Sequence, residues 1–141
     1  MKEISSLLKL QTSRFIVTVN QEDFNKITVV LNVESPSSAY HQGRFNFVLN
    51  VPAEYPFKPP EVIFTDKVYH AGIDQDTGKI CSEIISKDWS PTLNINHVLH
   101  VIHEMFVTEG RDSTLNSEIV SEINDNYELF KSKVRKQIQD L

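Results

Sequence analysis

The sequence holds a single cysteine, Cys81, in 141 residues. It can form no internal disulfide, and nothing in it calls for an oxidising compartment. No run approaches the ~20 consecutive apolar residues of a membrane span, so a membrane-spanning helix is not expected. The first residues, Met1-Lys2-Glu3-Ile4, lack the apolar stretch and small-residue cleavage site of a secretion signal. A cytoplasmic or nuclear address is therefore expected. Basic charge is also short: 14 Lys and Arg face 19 Asp and Glu, a formal net charge of −5. General nucleic-acid binding, which needs clustered cations against phosphates, is not expected. The one dense basic run, Lys131, Lys133, Arg135 and Lys136, reads as a solvated helix face. No repeat, low-complexity stretch or linker divides the chain, so residues 1–141 read as one domain, expected to act as a monomer.

Apolar periodicity supplies the element order. Ile4, Leu7 and Leu8 at helical spacing predict a short N-terminal helix. Phe15, Val17 and Val19 then alternate with polar or outward positions, the pattern of a strand with one buried face. Ile27–Val33 and Arg44–Val51 continue the pattern, joined by the turn residues of Ser35-Pro36-Ser37-Ser38 and Gln42-Gly43. Four prolines between Pro52 and Pro60 require a stiff loop, because proline lacks the donor a central strand needs. Val62–Phe64 is a short fourth strand, and Val68–Thr92 shows no sustained period. Asn94 caps a helix with Ile95, Val98, Leu99, Ile102 and Phe106 on one side; Gly110 breaks it. Asn116 caps a second through Ile123, and Phe130, Val134 and Ile138 mark a third. Strands first and helices last predict an α+β fold with helices on one face of an antiparallel meander.

The chemistry lies in the aperiodic middle. Tyr55-Pro56-Phe57-Lys58-Pro59-Pro60 is followed by Tyr69-His70, then Gly78-Lys79-Ile80-Cys81, then Trp89-Ser90-Pro91. This ordered set resembles the core of the ubiquitin-conjugating enzyme family, and the resemblance runs from about Ala39 to the C-terminus. It implies the family's fold: an N-terminal helix, a four-stranded antiparallel meander, an active-site loop region and C-terminal helices. It further implies that Cys81 accepts ubiquitin or a ubiquitin-like modifier as a thioester from an activating enzyme, for transfer to a lysine of a protein substrate. A thiolate is a strong nucleophile and a thioester a good acyl donor to amines, so the residue suits the task. No cofactor or metal is implied, since ATP is used by the upstream activating enzyme. Pro56, Phe57 and Lys58, with Ser90 and Pro91, match the loops on which relatives seat RING-type or HECT-type ligases.

The resemblance breaks at one place. Where the family has His-Pro-Asn, this chain has His70-Ala71-Gly72. The histidine is expected to hold the loop through hydrogen bonds. Gly72 offers no side-chain donor to the oxyanion of amine attack, and loss of one such donor costs ~10²–10³ in rate. Three readings stay open: a backbone N–H at Gly72 takes over, a ligase supplies the missing order, or transfer is intrinsically slow. By the same resemblance Glu83 or Asp112 is expected to orient or deprotonate an incoming lysine, and Ser113 to gate the site or position the amine through hydrogen bonding. Trp89 is expected to be a buried structural ring. The C-terminal run from Thr114 to Phe130 leans toward the enzyme of the Nedd-type modifier, and a non-catalytic binding variant of the fold is the alternative of another class. His97, His100 and His103 share a helix without ligand partners at metal spacing and read as a polar, surface or half-buried face.

Overall fold

The computed structural model describes residues 15–19, 22, 25–80, 83–87, 89–111, 113 and 115–140, the side chains of residues 83 and 84 excepted. The expected N-terminal helix lies outside the described residues. Four strands, β1 (Phe15–Val19), β2 (Lys26–Asn32), β3 (Arg44–Asn50) and β4 (Glu61–Phe64), form one antiparallel sheet in sequential order. The period-two pattern fixes the register. Val17, Val29, Phe47 and Phe64 face one another in a row across all four strands, and Ile27, Leu49 and Val62 line up beside them. Every one of these side chains is buried, because a slip of one residue would turn each apolar row toward water. Beyond β2 the pairing continues: Val33 donates to Gly43 O at 3.0 Å and accepts from Gln42 N–H at 2.9 Å.

Four helical segments follow: α1 (Glu83–Ser86), α2 (Ile95–Val107), α3 (Ser117–Asp125) and α4 (Tyr127–Asp140). The Asn94 side chain accepts from His97 N–H and starts α2; the Asn116 side chain accepts from Ile119 N–H and starts α3. Asn126 ends α3 through its N–H to Glu122 O and begins α4 by accepting from Leu129 N–H. Phe106 of α2 joins helix to sheet: its ring stacks on Phe45 at 4.9 Å and meets Phe64 edge-on at 5.8 Å.

Two expectations change. The stretch from Val68 to Thr92 is not structureless: it contains α1 and isolated bridges from Ile63 to Lys79 and from Ile73 to Ile80. One helical turn is too short to leave a period in the sequence. Asp74 organises the turn between the bridges by accepting from Asp76 N–H and Thr77 N–H. Gly78 closes it at φ +77, where a Cβ would stand 2.1 Å from Phe64 O. The second change is His103, which is buried, meets Phe15 edge-on at 6.3 Å and accepts from Glu34 N–H at 3.3 Å. Only His97 and His100 keep some or full exposure, so the three histidines do not form one polar face.

Candidate active site

His70 sits at the centre of the described part of the site and is buried. Its Nδ1 accepts from Gly72 N–H at 2.9 Å, so in the neutral ring Nε2 carries the hydrogen and donates to Met105 O at 2.8 Å. The ring lies between Tyr40 at 5.2 Å and Phe106 at 5.0 Å. Burial pulls its pKa from 6.5 down to about 4, against the opposing effects of the Met105 carbonyl and the Glu109 charge. Gly110 closes the last side at φ +76, and a Cβ there would stand 2.7 Å from His70 Cε1.

The Gly72 N–H is committed to His70 Nδ1. A Cβ at Gly72 would lie 3.3 Å from both His70 Nδ1 and the terminal methyl of Met105, tight but within reach of a small shift of a flexible side chain. Ser113 reaches the same loop from the other side. Its hydroxyl donates to Ala71 O at 2.9 Å and accepts from Leu115 N–H, while its own N–H donates to Gly110 O at 3.0 Å. The serine thus braces His70-Ala71-Gly72 against the loop after α2. Cys81 and Asp112 lie outside the described residues, as does the side chain of Glu83. Ile80, which precedes the cysteine, pairs with Ile73 directly beside Gly72.

Sequence reasoning missed Glu109. It is buried at 4% exposure, with a backbone φ of 63 that side chains other than glycine seldom adopt. One carboxylate oxygen accepts from Ala39 N–H at 3.0 Å and from the Tyr127 hydroxyl at 2.6 Å; the other pairs with Arg111 at 2.9 Å. Burial first, and then Glu109, push the Tyr127 hydroxyl up to about 12, so it stays a donor. The carboxylate therefore ties the β2–β3 connection and the start of α4 to the turn that presses Gly110 on His70.

The second cluster of predicted residues forms a surface. The Trp89 ring nitrogen donates to Pro56 O at 2.9 Å and its ring lies 6.1 Å from Tyr55, joining the proline loop to the Ser90-Pro91 loop. Trp89 is half-buried rather than buried, because its ring roofs this junction. Phe57 is 76% exposed, Lys58 and Pro91 are exposed, and Pro56 and Ser90 are half-buried. Between the proline loop and the segments on either side of Cys81 runs a groove of about 270 Å³, lined by Pro60, Val62, Ile80 and Ile85 among others.

The chain matches the family model described as ubiquitin-conjugating enzyme over residues 1–138. It is 33% identical over 135 residues to a NEDD8-conjugating enzyme of Arabidopsis thaliana, covering 96% of this chain and 72% of that protein. It is 34% identical over 130 residues to ubiquitin conjugating enzyme E2 B of Dictyostelium discoideum, covering 92% of this chain and 86% of that protein. Other curated relatives are longer, and the chain spans 53% and 47% of two of them. Among solved structures, a ubiquitin conjugating enzyme domain of Toxoplasma gondii shares the fold, with a TM-score of 0.86 at 24% identity over 99% of this chain and 93% of that one.

Proposed function

The chain belongs to the ubiquitin-conjugating enzyme family, and we propose that it carries a ubiquitin-class modifier as a thioester on Cys81 and transfers it to a substrate lysine. The match across residues 1–138 carries this reading. In the first step the Cys81 thiolate attacks the thioester carbonyl presented by the activating enzyme; the new C–S bond forms as that enzyme's thiolate leaves. In the second, the uncharged amine of a lysine attacks the same carbonyl, and a C–N bond replaces the C–S bond as the Cys81 thiolate departs. The lysine must lose a proton, a task for Asp112 or Glu83. ATP is consumed upstream, and the reaction on this chain uses no cofactor.

His70 and Ser113 act here as positioning residues. Their hydrogen bonds fix the backbone of residues 70–73, against which Ile80 pairs one residue before the nucleophile. The exposed Phe57, on a loop pinned by Trp89, supports a ligase-docking role, since an aromatic side chain on a rigid loop makes an effective binding anchor. A NEDD8-type modifier is the second reading, supported by the 33% identity to a NEDD8-conjugating enzyme across 135 residues, beside 34% to a ubiquitin conjugating enzyme across 130.

A single-turnover chase tests the transfer half. Protein charged by activating enzyme, ATP and modifier is stripped of ATP and offered free lysine. The expected product is a modifier–lysine adduct that a Cys81→Ala chain never yields. An adduct formed by Cys81→Ala would remove the cysteine from the mechanism, and charging without discharge would favour a carrier or binding member of the family.

A further inference from the structure

Between the β2–β3 connection and α4 lies a cavity of about 200 Å³ whose lining includes Ser37, His41, Tyr127, Lys131 and Arg135, and no acidic side chain. Lys131 and Arg135 stand one helical turn apart on the same wall. Arg135 is half-buried, and its Nη1 donates to His41 O at 2.6 Å and to Ala39 O at 3.3 Å. Two neutral carbonyls therefore fix this guanidinium in place without neutralising it. Among the described residues neither Arg135 nor Lys131 pairs with a carboxylate. Glu109, the acid behind Tyr127, is already paired with Arg111. The His41 Nδ1 accepts from Ser35 N–H at 3.0 Å, which leaves Nε2 to carry an N–H donor.

In a chain of formal net charge −5, this is a built concentration of positive charge and donors, and we propose that it binds a phosphoryl group carried on a side chain of a partner protein. A phosphomonoester brings close to two negative charges and three acceptor oxygens, which matches two cations flanked by neutral donors better than the single charge of a carboxylate does. Arginine held in advance loses little freedom on binding, and its remaining N–H groups present the planar fork that phosphate oxygens accept. The site is remote in sequence from the motifs around Cys81 and does not depend on the conjugating activity.

Amide and His41 ring resonances of the full chain, titrated with an otherwise neutral phosphoserine peptide, its unphosphorylated twin and inorganic phosphate, test this. Saturable shifts centred on residues 35–43 and 127–135 are expected with the phosphopeptide and not with its twin. In Lys131→Glu, a change at an exposed position, the affinity should fall by about tenfold or more. Inorganic phosphate shifting the same resonances at equal affinity would make the free ion the ligand and overturn the partner-borne phosphoryl group. Absence of shifts at these residues, equal binding of the twin peptide, or no effect of Lys131→Glu would overturn the proposal.

Discussion

His70 is neutral because burial opposes its charge and because Nδ1 must accept from Gly72. Its pKa is lowered from 6.5 to about 4, so as acid is added the unfolded chain takes up this proton first. The stability this group supplies is complete above its unfolded value and is lost as pH falls toward about 4, a loss on the order of 3 kcal/mol. The His70 ring resonances should stay constant from about pH 7 to about pH 5, and a midpoint near 6.5 would contradict the buried neutral ring. Gly72 permits a paired test. Gly72→Asn adds a side-chain donor and Gly72→Ala adds only the Cβ that presses on Met105. Asn is expected to discharge to free lysine faster than Ala, by up to ~10²-fold, with charging unchanged. Equal discharge by the two variants would show that the missing donor does not limit the reaction.

At the scale of elements, Glu109 holds three segments with one carboxylate. Glu109→Ala would leave Ala39 N–H without its acceptor and Arg111 without its anion, at a cost of about 3 kcal/mol. Tyr127→Phe removes a single hydrogen bond, worth about 1 kcal/mol. Chemical unfolding of both variants checks the order, and equal small losses would mean that the network is not a tie. None of this was legible in the sequence, because two of the partners of Glu109 stand 70 and 18 residues away and an acid beside a glycine has no signature of its own. The strands were legible, since Val17, Val29 and Phe47 announce their buried face by alternation. So were the starts of α2 and α3, where Asn94 and Asn116 lead apolar stripes. The four-residue α1 carries no period, and His103 was misread because helical spacing places a residue on a face without saying what packs there.

For the whole molecule, the meander and helices serve to bring together residues far apart in the chain. His70, Gly110 and Ser113 form one brace, and Pro56 and Trp89 form another that presents Phe57. The order of the motifs was legible in the sequence, whereas the hydrogen bonds among their residues depend on the fold. Phe57→Ala should leave stability within about 0.5 kcal/mol and weaken ligase-stimulated discharge by about tenfold or more; unchanged ligase response would move the docking surface elsewhere. The thioester on Cys81 is tested by the intact mass of the chain after incubation with ATP, activating enzymes and either ubiquitin or NEDD8, read with and without thiol. An adduct of one modifier that maps to Cys81 and disappears with thiol is expected. A folded chain that gains no mass with either modifier, or an adduct that survives thiol treatment, would contradict it.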